Sequence, residues 1–164
     1  FYDGGGLDEA FLGLAECDRN GNINVSRFGP KIAGCGGFIN ITQSTPVVVF
    51  CGTFTAKGLK EEFGNGTLTI VNEGQVKKFK NDVEQITFSA EYAKKSGQKV
   101  MYITERAVFE LRDGVFTLTE IAPGIDLQKD VLDQMDFVPA VADDLKIMDE
   151  RIFMDKPMGL SSKS

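Results

Sequence analysis

Short apolar runs bounded by turn residues punctuate this chain, and between them lie stretches that alternate polar and apolar. The run Val47-Val48-Val49-Phe50-Cys51, between Pro46 and Gly52, is continuous and β-branched, which predicts a buried strand. Residues 11–15 (FLGLA) read the same way. Asn20-Gly21 then signals a hairpin, and Ile23, Val25 and Phe28 continue an extended segment. Alternation on both sides of Asn65-Gly66 predicts a second hairpin, 59–63 against 67–71. Phe79 and residues 83–88 add extended structure. Residues 99–111, rich in Val, Tyr, Ile and Phe, predict one long strand that Asp113-Gly114 turns back into 115–121. Two short helices interrupt the strands. One covers 89–96 and stops at Gly97. The other covers 126–135, with Leu127, Val131, Leu132 and Met135 at helical spacing and Asp126 as N-cap. The expected fold class is α/β, an open sheet with β-hairpin additions, in one domain over 1–139. Residues 140–164 read as a charged, irregular tail, disordered at 161–164, and 4–6 as a glycine loop.

Composition narrows the function classes. The chain has 164 residues, 42% hydrophobic and 26% charged, as an ordinary globular domain has. A net charge of −6 argues against nucleic acid as the main partner, because phosphate binding needs a basic surface. No apolar run reaches the length of a membrane span, and no signal-peptide pattern opens the chain. It begins at Phe1 without an initiator Met, and we expect it to be cut from something longer. Cys17, Cys35 and Cys51 form an odd count without CxxC spacing, which fits a reduced, cytoplasmic protein. Cys17 reads as a core thiol with only Arg19 as a cationic neighbour in sequence. There is no His, which removes Ser-His-Asp and Cys-His catalysis and the usual zinc sites. No metal is expected. Lys77, Lys78 and Lys80 read as a solvated edge.

The candidate chemistry lies around Gly34-Cys35-Gly36-Gly37. Three glycines in four residues let backbone approach a ligand closely, and successive free N–H groups there bind an oxyanion. Lys57 emerges just past the 47–51 strand, and open α/β sheets bind ligands at the carboxyl ends of their strands. The plainer alternatives are that the glycines only make turns and that Lys57 is a solvated strand-end lysine.

Several blocks, in order, resemble the second half of the family I acyl-CoA:carboxylate CoA-transferases. They are Gly4-Gly5-Gly6-Leu7-Asp8, Phe11 to Glu16, Gly21 to Ser26, Gly34 to Asn40, Thr104-Glu105-Arg106-Ala107-Val108-Phe109 and Leu118 to Ile125. Arg27-Phe28-Gly29-Pro30 and Phe54-Thr55-Ala56-Lys57-Gly58 are similar to the propionate (acetate/propionate/lactate) branch. The likeness covers 1–139. It implies the family's open α/β sheet, as part of a two-half enzyme that assembles as a homo-oligomer. It implies ping-pong transfer of coenzyme A, a substrate rather than a bound cofactor, between a short-chain acyl-CoA and a carboxylic acid. The family's nucleophile is a glutamate in a Glu-Ser-Gly-type motif upstream of the segment matching Phe1, so this chain alone is expected to be inactive. Carried over by position, Gly36 and Gly37 are the backbone donors to the oxyanion, with Gly37 favoured. Ala33, Gly37 and Lys57 line the CoA site. Glu73 reads as a turn carboxylate, and Glu105 and Glu120 as structural. The competing function is a non-catalytic CoA-binding or assembly module of the same fold. A sugar-phosphate isomerase relative fits poorly, since few cationic groups surround the glycine loop.

Overall fold

Six strands form the main sheet of the computed structural model, which describes residues 6–160. They are β1 (Glu9–Gly13), β2 (Val47–Cys51), β3 (Lys99–Ile103), β4 (Ala107–Arg112), β5 (Val115–Ile121) and β6 (Ala140–Ile147), and they lie side by side in chain order. β1, β2 and β3 are parallel. β4 is antiparallel to both of its neighbours, and β6 runs parallel to β5. Parallel neighbours need a crossover. The first crossover contains helix α1 (Phe38–Ser44) and the second helix α2 (Ala90–Ser96). Gly4, Gly5 and residues 161–164, expected as a loop and as disorder, lie outside the described residues.

Alternation along β2 sends Val48 and Phe50 to one face, and Val100 and Tyr102 stand beside them in register on β3. All four are buried. Rings touch in sequence from Phe38 through Phe50, Tyr102, Phe116, Phe109 and Phe79 to Phe54, with centroids 4.6 to 5.8 Å apart. Such pairs add to the burial of the rings themselves. Truncating Phe50, whose ring meets those of Phe38, Phe88 and Tyr102, to alanine costs about 3–5 kcal/mol.

The predicted hairpins are present. Lys60–Gly64 pairs with Thr67–Asn72 around Asn65-Gly66, β4 pairs with β5 around Asp113-Gly114, and Glu16–Asp18 pairs with Ile23–Asn24. Ser89 caps α2 by accepting the Tyr92 N–H at 3.2 Å, and Gly97 closes it in the left-handed region. Asp126 caps its segment by accepting the Lys129 N–H at 2.7 Å.

Other expectations are corrected. Residues 99–111 are two strands, broken at Thr104-Glu105-Arg106. The Thr104 hydroxyl closes this turn, donating to the Ala107 carbonyl at 2.9 Å and accepting the Ala107 N–H at 3.0 Å. Residues 11–15 are not a buried strand: β1 is a sheet edge on which Phe11 is 67% exposed. Residues 126–135 form a π turn, Leu127–Val131, and a 3-10 turn, Leu132–Gln134. Residues 83–88 contribute only a bridge from Phe88 to Ile23. The segment from Ala140 is not irregular but supplies β6, whose polar pattern fits its place at the opposite edge. The lysine cluster is not a solvated edge. Lys78 is 7% exposed, with its ammonium donating to the Thr53 carbonyl at 2.7 Å, and Lys80 pairs with Glu16 at 2.7 Å. α1 was not signalled in the sequence: Ile39, Ile41 and Thr42 are β-branched and no side chain caps its N-terminus. Burial of Phe38 and Thr42 holds it.

Candidate functional site

Two loops flank β2. The first runs from Ala33 into α1. Ala33 is half-buried and its N–H donates to the Ser26 carbonyl at 2.8 Å. Cys35 packs partly against the core. The Phe38 N–H donates back to the Cys35 carbonyl at 3.0 Å, so Gly36 and Gly37 are the central residues of a tight turn. Gly36 has φ +52° and Gly37 φ −81°, ψ 4°, which is the type II′ pattern. That turn requires glycine at Gly36. It does not require glycine at Gly37, whose backbone any residue adopts and whose added Cβ would meet only the Ile41 Cδ1, at 3.6 Å. Added Cβ atoms at Gly34 and Gly36 would stand in open space. Neither the Gly36 nor the Gly37 N–H has a partner among the described residues. Phe38 stacks on Phe50, the penultimate residue of β2, which sets the turn beside the carboxyl end of that strand.

The second loop leaves β2 at Gly52. A Cβ there would lie 2.8 Å from the Leu14 carbonyl oxygen, so this close approach of two backbones excludes any side chain. From Thr53 to Gly58 nearly every residue is held. Lys78 donates to the Thr53 carbonyl, and the Thr53 hydroxyl donates to the Thr55 carbonyl at 2.7 Å. Glu105 accepts the Phe54 N–H at 2.8 Å. The Thr55 hydroxyl donates to Glu73. Thr55–Ala56 pairs with Val76–Lys77 as a short antiparallel ladder. The Gln75 N–H donates to the Lys57 carbonyl at 3.0 Å and the Asn72 amide to the Gly58 carbonyl at 2.7 Å. The product is an exposed Lys57 at φ +61°. The other described non-glycine residues with positive φ are Asn65 and Asp113, types that tolerate the left-handed region. Lysine does not, at a cost of about 1–2 kcal/mol. The Lys57 side chain has no partner among the described residues.

Arg106 is the hub beneath this loop. Its side chain is 0% exposed. Its guanidinium grips Glu73 through both terminal nitrogens, at 2.6 and 3.1 Å, and donates through Nε to Glu105 at 2.6 Å. It also donates to the Asp130 carbonyl at 3.0 Å and lies 5.1 Å from the centre of the Phe54 ring. A planar fork of five donors suits two carboxylates at once. Burial works to raise the Glu73 carboxyl, but the hydrogen bonds from Arg106 and Thr55 and the charge of Arg106 outweigh it and hold it below the usual glutamate range. Burial lowers the Lys78 ammonium, with the Glu105 charge opposing it. Cys17 is buried, and burial followed by the Asp18 charge raises its thiol well up, which leaves it unreactive.

The structure therefore sets Gly36 and Gly37 in one turn, with Ala33 earlier in the same loop, and Lys57 in another loop. No hydrogen bond or ion pair joins the two among the described residues. Glu73 is more than a turn carboxylate, since it joins Arg106 to Thr55. Arg106, Thr55 and Lys78 were not foreseen as parts of the site. One signal was available: a Glu-Arg pair in the middle of the apolar run 99–111 has to be satisfied or has to break the strand, and it does both.

Open parallel strands, with a glycine turn and a polar loop at the end of the central one, are the arrangement at which α/β domains bind their ligands. The relatives give this class a family. The chain is 56% identical over 166 residues to the caffeate CoA-transferase of Acetobacterium woodii, covering 98% of the chain and 32% of that protein. It is 54% identical over 159 residues to the acetate CoA-transferase YdiF of Escherichia coli O157:H7, covering 97% and 30%. The crystal structure of the YdiF apoenzyme superposes with a TM-score of 0.95 at 53% identity, over 98% of this chain and 31% of that one. The thioester complex of YdiF with CoA superposes equally well. Glutaconate CoA-transferase from Acidaminococcus fermentans, 16% identical with a TM-score of 0.62 over 87% of the chain, shares the fold. No protein-family model matches the chain. The chain is homologous to these CoA-transferases over 97–98% of its own length and spans about a third of the length of the curated relatives it matches. No helix among the described residues is long and apolar enough to cross a membrane.

Proposed function

We propose that this chain is the C-terminal third of a CoA-transferase of the acetate/propionate type, which moves CoA from a short-chain acyl-CoA to a carboxylic acid. The observation that carries the reading is the glycine turn. Gly37 lacks a side chain that neither its backbone angles nor its neighbours forbid, and its N–H has no partner among the described residues. A ligand that presses on the turn accounts for both. The reaction begins when a glutamate carboxylate, supplied by the rest of the longer protein, attacks the acyl-CoA carbonyl. The thiolate of CoA leaves and a mixed anhydride remains. The thiolate then attacks the glutamyl carbonyl, releasing the first acid and forming a glutamyl-CoA thioester. The acceptor carboxylate reverses these steps. A carboxylate is a weak nucleophile, so stabilisation of the oxyanion carries much of the rate. In this reading Gly37, with Gly36 beside it, donates to that oxyanion, Ala33 walls the thioester, and Lys57 meets a phosphate of CoA. The protein works in the cytoplasm, where its three free cysteines stay reduced, as a homo-oligomer.

The test is made on the longer protein, incubated with propionyl-CoA and no acceptor. The reading expects the intact mass to rise by CoA less one water, with the adduct on a glutamate outside these 164 residues and its CoA leaving as acetyl-CoA on adding acetate. An assembly module of the same fold, the alternative, would take up no label and transfer no CoA. The 164-residue chain alone is expected to exchange none between propionyl-CoA and acetate.

A further inference from the structure

We propose that Arg106, acting through Glu73 and Glu105, is the positioning residue for Lys57 and so sets the affinity for acyl-CoA. This rests on the reading of Lys57 as a CoA contact.

Three observations lead here. First, the fold holds Lys57 in a backbone conformation that disfavours lysine, at φ +61°, yet gives its side chain no partner among the described residues. A residue serving only the fold would be glycine, asparagine or aspartate at that φ. Second, no helix or main-sheet strand fixes the loop: beyond its short ladder with Val76–Lys77 and the Gln75 N–H on the Lys57 carbonyl, it depends on side-chain clamps. Two of the clamps meet at one guanidinium. Glu105 holds the Phe54 N–H at 2.8 Å and Arg106 at 2.6 Å. Glu73 holds the Thr55 hydroxyl and the Gly74 N–H, the latter at 3.0 Å, and takes two bonds from Arg106. Third, the neighbouring segment is shaped to receive the loop. A Cβ on Gly74 would lie 2.5 Å from the Thr55 hydroxyl and 2.6 Å from the Ala56 carbonyl, so only bare backbone lets the two segments close. Arg106 thus fixes Phe54 and Thr55, and Lys57 follows two residues later. A buried charge whose two counter-ions both hold the buried base of one loop acts on that loop: without it both carboxylates are left half-buried without their counter-charge.

The experiment uses the longer enzyme with propionyl-CoA and acetate. Thr55→Val keeps the volume and branching of a fully buried residue and removes only the hydroxyl that joins Glu73 to the loop. It is expected to raise the KM for propionyl-CoA about fivefold, the scale of a partly exposed charge contact, and to leave kcat and the KM for acetate unchanged. The salt dependence of the propionyl-CoA KM should flatten as it does in Lys57→Ala. Combined with Lys57→Ala, Thr55→Val should add nothing further, because both act through one ammonium. Arg106→Lys, which cannot grip two carboxylates, should show the same split with a larger KM change. A merely structural role would lower the unfolding midpoint in each variant and leave both KM values and their salt dependence at the parent values, and that result overturns the proposal. The two readings fail separately. If Lys57→Ala leaves the propionyl-CoA KM unchanged, the Lys57 reading falls and this one with it. If Lys57→Ala raises it and Thr55→Val does not, only the positioning role falls.

Discussion

The glycine turn and the Lys57 loop flank the same strand and are built in opposite ways. At Gly36-Gly37 the chain leaves space empty: no side chain fills it, no side chain caps the start of the helix that follows, and two N–H groups lack partners among the described residues. From Thr53 to Gly58 the reverse holds. A buried arginine, two carboxylates, a buried lysine and an asparagine hold the backbone so that one exposed lysine projects from it. The difference teaches where to look for function in each. On the proposed reading it lies, in the turn, in what is missing, since no Cβ is forbidden at Gly37. In the loop it lies in strain, since a lysine occupies a conformation that glycine would adopt freely. A site that contacts a ligand through backbone must stay bare, whereas one that contacts it through a charge must be held.

The sharpest way to break the contrast is at the hub. Arg106→Met removes the cation and strands Glu73 and Glu105, which should destabilise the domain by about 3–5 kcal/mol, as breaking a buried ion pair does. Urea unfolding of the 164-residue chain measures it, and a loss under about 1 kcal/mol would mean that the loop is not held as described. The Lys57 position separates function from fold. Lys57→Gly relieves the left-handed backbone and should leave stability equal or up to ~1 kcal/mol higher, while Lys57→Ala keeps the strain. Both should raise the acyl-CoA KM of the longer enzyme about fivefold. A destabilised Lys57→Gly would show the lysine to be part of the fold. The smallest effect concerns acid. The Glu73 carboxyl is held below its ordinary range, so its contribution is fully present above that range and is lost as the pH falls through the lowered folded-state value. Glu73→Gln should therefore be less stable than the parent at neutral pH and lose less on acidification. Parallel stability–pH curves for the two proteins would contradict the pairing.

The sequence makes some of this legible and hides the rest for physical reasons. β2 announces itself as five apolar residues between breakers. The Asn-Gly and Asp-Gly turns mark three hairpins because their left-handed backbone leaves few residue types to choose from. The turn at Thr104 carries no such mark, because a threonine hydroxyl closes it where glycine or proline would have been visible. α1 is invisible because its residues disfavour helix and only tertiary burial keeps it. The candidate residues Gly36, Gly37 and Lys57 stand out by type, and Ala33 only by resemblance. Arg106 and Lys78 do not stand out, because local sequence makes a charged residue look solvated. Their burial depends on Glu73, 33 residues away from Arg106, and on the Thr53 carbonyl, 25 residues away from Lys78.

On the proposed reading Gly37 is bare for the sake of a ligand. The direct test is Gly37→Val in the longer enzyme, measured for propionyl-CoA:acetate exchange and for its unfolding midpoint. With only the Ile41 Cδ1 near the new side chain, at 3.6 Å from its Cβ, the midpoint should stay close to the parent value. Turnover should fall by about 10²–10³, the loss that follows removal of one oxyanion donor. A folded variant with near-parental turnover would contradict the assignment.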